Sequence, residues 1–363
     1  MGNWKTCQLG DLITFQRGHD LPKTKMQGNI YPVVGSNGII GYHDKFTTEA
    51  PSITIGRSGN VGKPFLYKGR SWSHNTSLYI REYKNVDPIF VYYLLQTLDL
   101  GNYAGGSAVP TLNRNHIHTL NVTVPVDIEE QQQIASVLSA LDDKNEKNTA
   151  INENLLQQAV AVFDKYYYAS TNVQPFTSLI KVLGGGTPKT GNPFFWNGDI
   201  PFFTPKDAGT PYVFHTEKNI TESGLAHCNS HLYPKNTTFV TARGTVGKVS
   251  LAGVPMAMNQ SCYALASDSV QPLLVYFYAL KAIVSLKNKA SGAVFDAIVT
   301  RDFDKENIFV LTDEDSRSVI SFITPIMESI HNNIKENMHI STIRDALLPR
   351  LMSGELDVSD LDL

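Results

Sequence analysis

Cysteine is scarce: three residues (Cys7, Cys228, Cys262) lie far apart in a chain of 363. An odd count with no CxxC pair leaves no disulfide framework and fits a reducing, cytoplasmic compartment. Long apolar runs are missing too. The best candidate, PLLVYFYALKAIVSL (272–286), is too short to span a bilayer and is interrupted by Lys281, so no membrane partner is expected. The opening MGNWKTCQLGDL has no basic-then-apolar leader, and nothing in it points to export. A strong excess of one charge is also absent: 18% of residues are charged and the net charge is −3.

Split along the chain, that charge becomes informative. Residues 1–125 carry +5, 126–171 carry −5, 172–311 carry +3 and 312–363 carry −6. Two basic blocks alternating with two acidic ones fit a polyanion partner for the basic blocks. With 42% hydrophobic residues, the chain is globular in composition and long enough for two or three domains.

The sequence also repeats itself. RSGNVGK (57–63) returns as ARGTVGK (242–248), Gly59, Val61, Gly62 and Lys63 reappearing 185 positions later as Gly244, Val246, Gly247 and Lys248. Upstream, LITFQRG (12–18) matches LIKVLGG (179–185), LPKT (21–24) matches TPKT (187–190), and GNIYP (28–32) matches GDIPF (198–202). Downstream, NTSLYI (75–80) matches NQSCYAL (259–265), and DPIFVYYLL (87–95) matches QPLLVYFYAL (271–280). The order is kept throughout, with an extra stretch around 206–236 in the second copy. Two repeats are too few for a solenoid, so the pattern predicts two pseudo-symmetric lobes. Within each, short β-like runs are divided by Gly, Asn and Pro turns and by one helical segment (88–97 and 272–287).

After each lobe the apolar residues settle into 3–4 spacing. The first seam runs Ile134, Leu138, Leu141, Asn145, Asn148, Asn152, Leu155, Ala159, Val162, Tyr166. The second runs Ile320, Ile323, Met327, Ile330, Ile334, Asn337, Ser341, Arg344, Leu348, Leu351. A heptad seam over about 33 residues spans roughly 50 Å of helix. Both seams are apolar at their ends and polar in the middle, which fixes register and partner choice at some cost in stability. Pro325 is expected to kink the second helix or delay its start. The fold class that follows is α+β: two pseudo-symmetric mixed α/β lobes separated by a pair of long antiparallel coiled-coil helices. Each helix folding back on its own lobe is the alternative.

Most candidate chemistry fails on spacing. A phosphate-binding loop needs Gly, four residues, Gly-Lys and then a hydroxyl. Five places before Gly62 stands Arg57 and after Lys63 stands Pro64; the second copy has Ala242 and Val249 there. GNPFFW (191–196) resembles the base-holding motif of adenine methyltransferases, but LGGGTPKT (183–190) is a poor methyl-donor loop, interrupted by Pro188. Those aromatics are expected to pack the second lobe's core. His227, Cys228 and His231, with His215 nearby, lack a second Cys pair, so no metal site is predicted. His116 and His118 are read as alternate residues on one face of a strand. No Ser/His/Asp or paired-carboxylate constellation stands out, and no catalytic residue is assigned.

Binding remains. Arg reads guanine, Asn and Gln read adenine, and Lys or Ser hold phosphate. The candidate DNA contacts are Arg57, Ser58, Asn60, Lys63, His74 and Asn75 in the first copy. In the second they are Lys189, Lys206, Arg243, Thr245, Lys248, Asn259 and Gln260. The Asn and Gly residues among these stretches equally suit turn chemistry.

With these motifs in order, the sequence resembles the specificity subunit of a Type I restriction–modification system. WKTCQLGDLITFQRG, YPVVGSNGIIGY and ITIGRSGNVGK resemble the start of the family's first target-recognition domain, and GGTPKTGNPFFWNGDIPFFT that of many second ones. VTVPVDIEEQQQIASVLSALD is similar to the entry into its first conserved helix, and IRDALLPRLMSGEL to the end of the last. The resemblance implies target-recognition domains at 1–125 and 171–311, and helical spacers at 126–170 and 312–363. It implies a non-catalytic reader of double-stranded DNA with a bipartite target, each lobe taking one half and the helices setting the gap. Two methyltransferase subunits would dock on the helices, through positions such as Leu138, Leu141, Asn148, Leu155, Ile330, Ile334, Leu348 and Leu351. S-adenosylmethionine, ATP and Mg would sit on those and on the restriction subunits, leaving this chain without a cofactor. Pro325 and Arg344 on the second seam depart from a clean heptad, and the chain is a little short for the family. The competing classes are a self-contained adenine methyltransferase or restriction–methylation fusion, and a coiled-coil protein adaptor.

Overall fold

The β-like runs pair into the same antiparallel sheet in each copy. The computed structural model describes residues 3–106, 110–289 and 297–360. It divides into two units, Met1–Asn145 with His339–Leu363, and Glu146–Met338.

In the first unit the strand order is Ile13–Arg17, Ser77–Tyr83, Ser52–Gly56, Pro64–Tyr67, with every neighbour antiparallel. Ser52–Gly56 is buried along its whole length, as its short apolar run SITIG requires of a central strand. The second unit repeats the order with Lys181–Gly184, Cys262–Ala266, Thr238–Thr241, Val249–Ala252, and adds Tyr212–Val213 from its extra stretch as a parallel fifth strand. Even the register is kept. Ile55 faces Leu78 in one unit and Val240 faces Tyr263 in the other, each 185 positions on.

The smaller elements follow suit. Val33 and Val34 pair in parallel with Trp72 and Ser73, as Phe202 and Phe203 do with Ala257 and Met258. Trp4–Gln8 pairs with Asn121–Pro125, and Val173–Pro175 with Asn307–Phe309. Each sheet is backed by one apolar helix, Pro88–Gln96 or Pro272–Lys289, starting on a proline whose missing N–H is no loss at a first turn.

A close backbone approach ties these pieces together. A Cβ on Gly18 would lie 2.1 Å from the His74 carbonyl oxygen, and one on Gly185 would lie 2.2 Å from that of Asn259. Only glycine lets the edge strand run under the turn that precedes Ser77–Tyr83 or Cys262–Ala266.

Two long helices, Ile128–Ala169 and Asp313–Met352, contribute residues to both units. Gln131 anchors the first, buried at 2% exposure: its amide donates to the Pro125 carbonyl at 2.9 Å and accepts the Asp87 N–H at 2.9 Å. Thr312 caps the second, exchanging bonds with Asp315 at 2.7 and 3.1 Å, and acids fill its first turn. This helix therefore begins twelve residues ahead of Pro325 and runs through it, against the expectation of a delayed start.

Within each unit the two helices pair antiparallel. In the first, Asn145 donates to Ser341 at 3.1 Å and Arg344 to Asp142 at 2.8 Å. Asp142 also accepts the Tyr93 hydroxyl at 2.8 Å, so the arginine that broke the heptad has a built partner. In the second, Asn148 donates to Glu336 and Asn337 at 2.7 and 2.9 Å, and Asn333 to Asn152 at 2.9 Å. The apolar ends of the seams also close inside the chain. Leu138 and Leu351 are buried in the first unit and Ile330 in the second, with Leu348, Leu155 and Ile334 packed against them. Leu141 is half-buried. Near its end the first seam departs from the reading above. Phe163 and Tyr167 are the buried residues there, with Tyr166 only partly buried against the cluster and Val162 outside it, because Phe163 stacks on Phe277 at 5.4 Å.

Two outcomes test this architecture. Gly18→Ala and Gly185→Ala are each expected to lower stability by about 1–3 kcal/mol or more, as overpacking against a backbone does. Gly69→Ala, which meets nothing within 4 Å, serves as a neutral control in the same urea titrations. The second outcome concerns His118, whose Nε2 accepts the Phe15 N–H at 2.9 Å. Burial, then the charges of Lys84 and Arg114, hold its pKa below the ordinary 6.5. The fold thus favours the neutral ring, and the unfolded chain takes up the proton first as pH falls. Stability is expected to drop as pH falls below about 6.5, and His118→Gln to flatten that drop in thermal melts at pH 7.5 and 5.5.

Candidate nucleic-acid interface

The repeated turn is built identically in both units. In the first, Gly56 N–H donates to the Lys63 carbonyl at 3.1 Å and Gly62 N–H to Gly56 at 2.8 Å. In the second, Thr241 N–H donates to Lys248 at 3.0 Å and Gly247 N–H to Thr241 at 2.8 Å. Gly59 and Gly62 have φ of +87° and +81°, and Gly244 and Gly247 of +79° and +74°, which explains the glycines. The amides of Arg57 and Ser58 are also spent, on the Thr76 carbonyl at 2.8 and 3.2 Å. A phosphate loop would aim such N–H groups at an anion and lead into a helix; this turn does neither, and a strand follows it.

Those bonds bring several candidate residues together. The tether from Thr76 sets Arg57 and Ser58 beside His74 and Asn75, and Leu112 N–H, donating to the Arg57 carbonyl at 2.9 Å, brings in the 111–114 segment. The second unit repeats both tethers, Ala242 N–H to Ser261 at 2.8 Å and Ile298 N–H to Ala242 at 2.9 Å.

The side chains differ in how committed they are. His74 Nδ1 lies 3.1 Å from the Thr76 hydroxyl, and Asn75 donates to Asp20. Thr245 donates to the Pro205 carbonyl at 3.0 Å, and Lys248 to that of Ala208 at 2.8 Å. Lys206 pairs with Glu217 at 3.1 Å, Gln260 bonds Thr187, and Asn259 accepts the Ser261 N–H at 3.0 Å. Asn60, Lys63, Lys189 and Arg243 are exposed, and Arg57 and Ser58 half-buried.

Sequence reasoning missed the strongest feature. Arg17 at the end of Ile13–Arg17, Arg81 on Ser77–Tyr83, Arg57 on the turn and Arg114 converge on two adjoining clefts of about 560 and 500 Å³. Both clefts share Arg17 and Arg114. Among the described residues no carboxylate pairs with Arg17, Arg57 or Arg114. Burial, and then the charge of Arg17, lower the pKa of Arg57. Such a concentration of unneutralised guanidinium attracts anions. The second unit has Gly184, Ala242, Ala266 and Thr300 at the four corresponding positions, so it lacks this cluster. Arg17 and Arg114 lie 97 residues apart, and no local pattern announces their meeting.

Two sequence readings change here. His116 and His118 lie not on a strand but on a short helix, Arg114–His118, because Asn113 caps it by accepting the Asn115 N–H at 3.0 Å. Of the GNPFFW aromatics only Trp196 packs against a core cluster, meeting Phe202 at 5.6 Å; Phe194 is 81% exposed and Phe195 stacks on His227 at 4.9 Å. With His227 so engaged and the Cys228 thiol on the Leu225 carbonyl, no three His, Cys, Asp or Glu side chains gather as a metal site among the described residues.

Comparison with known proteins agrees with this duplicated layout. The Type I restriction modification DNA specificity domain matches twice, over residues 1–157 and 160–338. The chain is 28% identical over 172 residues to the Type I restriction enzyme MjaIX specificity subunit of Methanocaldococcus jannaschii, covering 46% of this chain and 40% of that one. It is 23% identical over 356 residues to the HindI specificity subunit of Haemophilus influenzae, covering 74% and 77%. For the EcoR124I/EcoR124II specificity subunit of Escherichia coli the figures are 25% over 276 residues, covering 70% and 62%. The chain thus spans less than half the length of the first relative and more of the other two. The crystal structure of a Type I S subunit from M. genitalium shares the fold, with a TM-score of 0.65 at 16% identity over 96% of both chains. Two matches to one specificity domain, on two units of matching strand order and register, place this chain in the Type I restriction-modification DNA specificity family.

Proposed function

We propose that this chain is the DNA-recognition subunit of a Type I restriction–modification assembly, and that each unit reads one half of a bipartite target. The observation that carries the reading is the twofold specificity-domain match over units whose repeated turns are built alike. In each unit a rigid turn carries an exposed cation, Lys63 or Arg243, and in the first the arginine clefts lie beside it. Backbone-locked turns present side chains to base edges with little entropy to lose, and arginines hold phosphate.

The long helices set the unread gap in this proposal. They run 42 and 40 residues, and a helix of that length measures about 60 Å. Two readers on one face of DNA need half-sites roughly 34–36 Å apart. The seam residues are occupied by the chain's own packing, so docking of two methyltransferase subunits falls to the outward faces, where Ile151, Phe322 and Ile343 are exposed. Those subunits would supply S-adenosylmethionine, and restriction subunits would supply ATP- and Mg-dependent cleavage, this chain itself performing no chemistry.

Binding is expected to prefer one bipartite duplex over scrambled DNA by about 10³-fold or more, and to weaken steeply with salt. Fluorescence anisotropy on a duplex chosen by mapping methylated adenines, in hosts with and without the chain, measures this. Indifference to sequence would favour a protein adaptor, and S-adenosylmethionine binding by the isolated chain a self-contained methyltransferase. Inserting one heptad into each long helix, about 10 Å, is expected to widen the preferred gap by about three base pairs. An unchanged gap in the same methylation map would rule out the helices as the ruler.

A further inference from the structure

We infer that the first unit holds the DNA backbone through an arginine cleft that the second unit lacks, so the two half-sites are bound by different physics. The inference rests on the DNA-reading proposal and goes beyond it in separating the roles of the two copies.

Arg17, Arg57, Arg81 and Arg114 come from an edge strand, the repeated turn, the neighbouring strand and a short helix, yet they line two clefts that share walls. His116 lines the second cleft, and among the described lining residues the one acid is Asp20, which accepts a bond from Asn75. Arg81 reaches Gln16 at 3.4 Å, a weak bond that leaves its charge unneutralised. A fold that gathers four guanidiniums around a single carboxylate gains when an external anion supplies the missing charge. Both clefts are open to solvent; the one lined by Gln16, His19, Asp20 and Arg81 is mainly polar, and the one that adds Leu78 and Leu112 is mixed. An open, guanidinium-lined surface suits phosphodiester oxygens along a backbone better than an enclosed small molecule.

The second unit supplies an internal comparison. Its strand ends at Gly184, its turn begins with Ala242, its neighbouring strand has Ala266 and its short helix starts at Thr300. Matched backbone bonds fix these correspondences, since Leu112 and Ile298 each donate to the first residue of the turn, Arg57 or Ala242. The scaffold is kept and the charge is not. Sequence-independent attraction therefore resides mainly in the first unit, and the second relies on direct contacts such as those open to Lys189 and Arg243.

The test uses the full chain on its preferred duplex, comparing wild type, Arg17→Gln/Arg114→Gln, and Lys189→Gln/Arg243→Gln. Arg17 and Arg114 are exposed, so their replacement leaves the fold intact, which circular dichroism melting confirms before binding is measured. The first double variant is expected to lower the slope of log K against log salt by about two, so that the affinity lost between 50 and 200 mM salt shrinks by about tenfold. Base preference stays unchanged, and phosphate-ethylation interference disappears over one half-site only. The second variant is expected to change the slope by less. An unchanged slope in the first variant overturns the inference. So does a slope held constant while preference at one base pair relaxes, which would make these arginines guanine readers. ATP or inorganic phosphate binding to the DNA-free chain, lost in the variant with no change in slope, would assign the cleft to a free anion instead. A wild-type chain with no bipartite preference would fail the DNA-reading proposal itself, a result separate from all of these.

Discussion

The contact on which both units depend is the passage of a glycine beneath a turn. Gly18 lies under the His74 carbonyl and Gly185 under that of Asn259, each with no room for a Cβ. This approach sets the edge strand against its neighbour, and the same turn continues into Thr76 or Ser261, whose carbonyls hold the repeated glycine turn. One backbone crossing thus fixes the edge strand, the glycine turn and the loop between them. It uses only main-chain atoms, so side chains around it are free to diverge while the scaffold stays the same.

Divergence of that kind is what the two units display. The turn bonds and sheet register match, while four arginines stand where the other copy has Gly, Ala, Ala and Thr. If the two units read the two halves of a bipartite target, as proposed, this separation serves them, because such a target needs two different half-site preferences from one fold. On the proposed reading, charge concentrated in one unit would give the encounter with DNA a long-range component without loading both units with repulsion.

The long helices obey another constraint. Their apolar ends are packed within the units, and their middles are linked by hydrogen bonds among Asn and Ser side chains. Amide pairs bond only in one register, whereas apolar contacts tolerate slippage. A polar centre therefore fixes the register of the pairing at some cost in stability. Arg344, an irregularity in the heptad, is satisfied by Asp142, which also receives Tyr93, so the seam carries a specific lock at that level.

The sequence by itself determined the duplication, the mixed α/β class, the two long helices and the positions of the turn glycines. Each of these is encoded in local spacing or in self-similarity, and needs no knowledge of distant neighbours. Tertiary structure decided the rest. It drew Arg17, Arg57, Arg81 and Arg114 from four elements into two adjoining clefts, turned Phe194 outward, put His118 on a helix, and moved the last turns of the first seam to Phe163 and Tyr167. Pairwise meetings between residues a hundred positions apart leave no periodic trace, and a cap such as Asn113 outweighs the strand-like alternation of two histidines. Glycine spacing survives in the sequence because it reports a backbone angle; a charge cluster does not, because it exists only where strands and helix come together.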